Sequence, residues 1–153
     1  IFKNIEIIHY TPTSKWFKNR KKDAFHKEFR RYPIKINENN NYKILISHSP
    51  VGITRKHNYE KLPEITNNIN LILSGHMHNG LLPDSLEFLD KKKIGRGIIS
   101  PSKSLFPNYC RGKHTIKNMD IIISRGITKF SWLKVFKIFD IMYKSEITLI
   151  DLK

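Results

Sequence analysis

The chain has 153 residues, enough to bury one hydrophobic core, and 39% of them are hydrophobic, which excludes a largely disordered protein. It carries 28 Lys and Arg against 13 Asp and Glu, a formal charge of +15. One cysteine, Cys110, excludes an internal disulfide, and no apolar run reaches the roughly 18–20 residues that span a bilayer as a helix.

The basic excess has two readings. A surface of this charge attracts phosphate, whether in nucleic acid, anionic lipid or a small substrate. The chain is also rich in Lys, Ile and Asn throughout, a compositional bias that needs no polyanionic partner. Cys110 reads as a semi-buried free thiol.

In chain order, the sequence starts at Ile1 with no signal-peptide pattern, and we read the start as a cut through a longer protein. Ile5 to Tyr10 is the first strand. Ser14 to Tyr32 is strongly basic, with Trp16, Phe17, Phe25 and Phe29 spaced loosely along one helical face, Ser14 as N-cap and Pro33 as stop. Its aromatics suit packing on a sheet, and its basic face suits an anionic membrane or nucleic acid. Tyr42 to Ser47 is a second apolar strand, ending on His48-Ser49-Pro50. Tyr59 to Asn68 reads as a short helix leading into the apolar run Asn70 to Ser74, which ends on Gly75-His76-Met77-His78. Gly80 to Lys93 is expected as loop, with turn chemistry at Pro83-Asp84-Ser85. Met119 to Ser124 is another strand, Trp132 to Tyr143 a short amphipathic helix or a loop packed on the sheet, and Glu146 to Leu152 a last strand. Strands alternating with helical connections give an α/β fold class, and without a clean linker the chain is read as one domain.

The chemistry is concentrated at two strand ends. Strand side chains alternate with a period of two, so the imidazoles of His76 and His78 are expected to point the same way, and Gly75 leaves room for a close approach. His48 supplies a third imidazole at the end of the neighbouring strand. Imidazole suits Zn, Mn, Fe, Ni and Cu and binds only when neutral, so affinity falls with pH through the histidine range. Two metals sharing a hydroxide need a bridging carboxylate. Asp84, Glu87 and Asp90 read as solvated loop charge instead, so the carboxylates of such a site lie elsewhere. His9, His26, His57 and His114 read as surface histidines. A metallo-β-lactamase signature fails at Gly80 and Leu81, a zinc finger lacks its cysteines, and no H-E-x-x-H occurs.

Ile46-Ser47-His48-Ser49-Pro50 followed by Leu73-Ser74-Gly75-His76-Met77-His78 resembles the last two motifs of the calcineurin-like metallophosphoesterases. Asn108-Tyr109-Cys110-Arg111-Gly112, Ile123-Ser124-Arg125-Gly126 and Glu146-Ile147-Thr148-Leu149-Ile150 are similar to the C-terminal part of the family's bacterial phosphodiesterase branch, so the resemblance covers residues 42–153. It implies a four-layer α/β/β/α sandwich with a dinuclear centre of two divalent transition metal ions, Mn, Fe or Zn. By that match His48 and His76 ligate one metal and His78 the other. The family's earlier motifs, D-x-H, G-D and G-N-H with the catalytic histidine, do not occur, so residues 1–153 are expected to be the C-terminal part of one such domain. Asn79 stands where this branch usually has Gly. The activity implied is hydrolysis of a phosphodiester or pyrophosphate bond in a phosphorylated small-molecule or lipid-linked substrate. Arg111 and Arg125, each beside a glycine, are candidates to grip the substrate phosphate bidentately or to serve as structural arginines. The alternative is a non-catalytic basic module on the same fold that contacts an anionic membrane surface, with nucleic acid ranked below lipid.

Overall fold

The computed structural model describes residues 4–11, 24–54, 60–90, 94–99, 105–126 and 146–151. The fold is mixed α/β and is built on a five-stranded sheet. In chain order the elements are β1 (Ile5–Tyr10), α1 (Ala24–Arg31), β2 (Tyr42–Ser47), α2 (Val51–Thr54), α3 (Pro63–Asn68), β3 (Leu71–Ser74), β4 (Gly112–Ile116) and β5 (Met119–Ile123), with 3-10 turns at His78–Leu81 and Asp84–Leu89. The strand order is β1-β2-β3-β5-β4, with β1, β2 and β3 mutually parallel. The chain divides into two compact units, one from Ile1–Ser74 with Lys113–Ile122 and the other from Gly75–Gly112 with Ile123–Asp151.

The first unit holds the sheet. β1 and β2 are rich in β-branched and aromatic residues, which suit a pleated, half-buried surface, and both have the bounds their sequence implies. Parallel register sets Ile8 beside Leu45 and Leu45 beside Ile72, and these three side chains are buried on one face. α1 docks through Phe29, which is buried and meets Tyr10 edge to face with centroids 5.8 Å apart. Arg30 and Arg31 in its last turn favour the negative end of the helix dipole, and Pro33 biases Tyr32 away from helical geometry, so the helix stops at Arg31. α3 opens with Pro63, whose missing N–H costs nothing in the first turn, and buries Ile65 and Thr66. Asn70 then ties three strands together. Its side-chain oxygen accepts from the Lys43 N–H at 2.8 Å, its own N–H donates to Lys43 O, and its carbonyl accepts from Asp120 N at 3.0 Å.

Three expectations are corrected. β4 is absent from the sequence reading because it is a polar edge strand, with Lys113 and Thr115 exposed, and has no apolar run to reveal it. The expected final strand from Glu146 does not form over residues 146–151, where Ile147 and Leu149 are both exposed. Alternation says which residues share a side, but not whether a neighbouring edge is there to pair with. The expected loop after Gly80 contains the second 3-10 turn, Asp84–Leu89. Ser14, Trp16, Phe17, His57 and the Trp132 to Tyr143 segment lie outside the described residues, as do the side chains of Phe25 and His26. Among the described residues no helix is long and apolar enough to cross a membrane.

The β4–β5 hairpin, closed by Lys117-Asn118 with φ 54° at Lys117, carries a pH-dependent tie. Asp120 accepts from Lys113 Nζ at 2.8 Å and from Thr115 Oγ1 at 2.7 Å. The Lys113 hydrogen bond, then that of Thr115, hold the Asp120 carboxyl below the ordinary range, and the same bond raises Lys113. A lowered carboxylate stabilises the fold above its unfolded pKa and loses that effect as pH falls through the folded value. A raised lysine does so below its unfolded pKa and loses it at higher pH. Asp120→Asn should therefore lower the melting temperature slightly at neutral pH, and the difference from the parent should shrink below about pH 3.9, the ordinary aspartate value. Thermal scans at several pH values check this.

Candidate metal-binding loop

β2 and β3 end level, with Ser47 in register with Ser74. Residues just beyond the C-terminal ends of parallel strands are where ligands bind in open α/β sheets. His48 follows Ser47 directly. Ser47, Ser49 and Pro50 around it are buried, whereas His48 itself is exposed. Pro50 O accepts from the backbone N–H groups of Ile53 and Thr54, both at 2.9 Å, and from Thr54 Oγ1 at 3.1 Å, so the chain turns into α2 at once.

Beyond β3 the path differs from the strand-based expectation. The strand ends at Ser74, so the period-two argument does not reach His76 and His78. Met77 N donates to Gly75 O at 2.7 Å across His76, whose φ is 65°, a γ-turn with its rare positive central φ. His78 (φ 45°), Asn79 (57°), Gly80 (60°) and Leu81 (48°) follow in left-handed geometry. For non-glycine residues each such position costs on the order of 1–2 kcal/mol. Asn79 has φ 57° and ψ 15°, a conformation that Asn tolerates better than most side chains, so Asn can stand there in place of Gly.

The cost is met by packing within the second unit. Met77 and Asn79 are buried, and Asn79 Nδ2 donates to Leu82 O at 2.6 Å. The close approach expected at Gly75 falls instead at Gly80, since a Cβ at Gly75 would meet nothing within 4 Å. A Cβ on Gly80 would lie 2.5 Å from Gly97 Cα and 2.8 Å from Cys110 Sγ. Two glycine backbones therefore cross in contact, and Ile98 N and Ile99 N both donate to Gly80 O at 2.7 and 3.0 Å. Cys110 seals this crossing. It is fully buried rather than semi-buried, and burial pushes its thiol up to about 11.

The two arginines enter a network that sequence reasoning missed. Arg111, almost wholly buried, donates from Nη1 to Arg96 O at 2.8 Å and from Nη2 to Asp90 Oδ2 at 3.2 Å, and its Nε lies 3.5 Å from Glu87 Oε1. Arg125 reaches Asp84 Oδ1 at 2.7 Å, Glu87 Oε1, and Glu146 Oε2 at 2.9 Å. Asp84, Glu87 and Asp90 are thus ion-paired rather than solvated, and Glu87 is shared by both guanidiniums. Asp90 also accepts from Ile94 N and Arg96 N at 3.3 and 3.0 Å. The pairing partners lie between 21 and 41 residues apart in sequence, so no local pattern signals them. A phosphate held by Arg111 or Arg125 would compete with these carboxylates.

The described histidines offer imidazole donors that suit Mn, Fe or Zn, with His48 and His78 exposed and His76 half-buried. Among the described residues no group of three or more His, Cys, Asp or Glu side chains is placed to hold a metal ion. His48, His76 and His78 therefore do not themselves form such a group among the described residues.

Arg111→Ala should destabilise the protein by about 3 kcal/mol in urea unfolding, because the nearly buried Asp90 carboxylate loses its guanidinium partner. Cys110 should react with a thiol reagent far more slowly in the native protein than in denaturant, and a native rate close to the denatured one would contradict its burial.

Compared with known protein families, with curated proteins and with solved structures, the chain shows no match.

Proposed function

We propose that this chain is part of a metal-dependent phosphoester hydrolase of the calcineurin-like kind, acting on a phosphodiester or pyrophosphate bond. The observation that carries the reading is the sharp turn His76-Met77-His78-Asn79, left-handed at His76 and at the consecutive His78 and Asn79, which begins two residues beyond the end of a parallel strand. Left-handed conformations at consecutive non-glycine residues persist only where the surroundings over-determine them, and they cluster at functional sites. Here the glycine crossing and the buried Asn79 hold such a path at the residues that carry the family resemblance.

In this reading His48, His76 and His78 supply imidazole ligands to two divalent transition metals, and the bridging carboxylate and the catalytic histidine come from elsewhere in the protein. When bound, such metals lower the pKa of a bridging water and take up charge on the phosphoryl oxygens. The chain's own contribution is to hold the His76 and His78 imidazoles on a stiff turn. Arg111 and Arg125 brace the Asp84–Leu89 turn that follows it, with phosphate contact a second role open to them only in exchange for a carboxylate.

The four-layer α/β/β/α sandwich is the finer form of this proposal. It is supported by the second face of the sheet, where Ile5, Ile7 and Ile46 are exposed, Ile7 to 67%. Parallel sheets are ordinarily covered on both faces, so an apolar face of this kind suits a further layer.

In the intact protein, His76→Ala and His78→Ala should each abolish hydrolysis of a bis-aryl phosphodiester in Mn²⁺ while leaving the circular dichroism unchanged. Activity within a few-fold of the parent would overturn the assignment. Elemental analysis of the intact protein should find transition metal, reduced in both variants.

A further inference from the structure

The second unit carries an apolar surface that the proposed chemistry does not use. Phe88, Leu89, Leu105 and Phe106 are each between 52 and 71% exposed, and Ile98 is 36% exposed. Leu89, Ile98 and Phe106 line one small cavity of about 170 Å³ together with Arg96. Phe106 N donates to Ile98 O at 2.8 Å, and Ile99 bridges to Leu105, so the two chain segments are held side by side. Phe106 has φ 49°, an outlier for a bulky aromatic residue, and its ring is nevertheless directed outward. Bulky apolar side chains grouped in this way on a surface mark an interaction site.

Charge identifies the partner. Residues 84–112 carry six Lys and Arg against three Asp and Glu. Each of those three acids is ion-paired to Arg111 or Arg125. By sequence, residues 84–112 keep a net charge of +3, and Arg96 is exposed at the cavity rim. Self-association would bring two chains of charge +15 together, which their repulsion opposes. The cavity is smaller than the roughly 300 Å³ at which small-molecule sites begin. Three of the five apolar side chains, Leu89, Ile98 and Leu105, are aliphatic, which suits acyl chains better than stacked bases.

We propose that this surface docks on an anionic lipid bilayer, with Phe88, Leu89, Leu105 and Phe106 entering the boundary between headgroups and acyl chains. Apolar insertion and attraction between basic residues and anionic lipid act together, as in interfacial anchors generally. The inference stands on this surface alone and does not require the hydrolase reading.

The test is co-sedimentation of the intact protein with phosphatidylcholine vesicles, with and without phosphatidylglycerol. Binding should require phosphatidylglycerol and weaken with salt. Phe88→Ser and Phe106→Asn should each reduce it at least about tenfold, since each removes a buried aromatic ring from the bilayer. Both positions are exposed, and Asn suits the left-handed φ at 106, so circular dichroism should be unchanged. Failure of the intact protein to bind phosphatidylglycerol vesicles, or parent-like binding by both variants, would overturn the proposal. So would sedimentation showing a dimer that these substitutions dissolve, because the surface would then belong to a second copy.

Discussion

The contact between Gly80 and Gly97 is the constraint on which the second unit depends. Two backbones cross at a separation that no Cβ could occupy, and Gly80 O accepts two N–H groups from the crossing strand of chain. The residues from Gly75 into Gly80 turn sharply, with left-handed conformations at His76, His78 and Asn79. Beyond the crossing, Ile98 and Ile99 pair with Phe106 and Leu105 through a hydrogen bond and a bridge of their own.

Charge organises what packing leaves open. Four carboxylates, Asp84, Glu87, Asp90 and Glu146, meet two guanidiniums, and Glu87 serves both. The Arg111–Asp90 pair is nearly buried, so its value lies in what its loss would expose rather than in a large net gain. The Arg125 pairs are partly solvated and individually weaker. Together they tie residues 84–90 to positions 111, 125 and 146, far apart in the chain. This gives a loop with few buried side chains of its own a defined shape.

Much of the first unit could be read directly. Ile5–Tyr10 and Tyr42–Ser47 have the bounds their apolar, β-branched runs imply, because a strand buried against helices needs a continuous run of such residues. The end of α1 follows from Pro33 in the same way. Where a strand is polar, as in Gly112–Ile116, or where alternation meets no partner edge, as at Ile147 and Leu149, the local pattern loses its force. The histidines fall between these cases. Their residue types and positions after two strands were legible, but the direction of His76 and His78 was not, since the strand ends at Ser74 and the chain turns at once.

By itself the sequence determined the α/β class, the strands that form the parallel core, and three imidazoles just past two of their ends. It could do so because hydrophobic period and strand-end composition are local properties. Only the tertiary structure decided that the strand stops at Ser74, that Arg111 and Arg125 are engaged by carboxylates, and that Leu89, Ile98 and Phe106 line one cavity. Each of those outcomes depends on groups distant in sequence coming within a few ångströms, through a glycine crossing or an ion pair, and no local pattern encodes that approach.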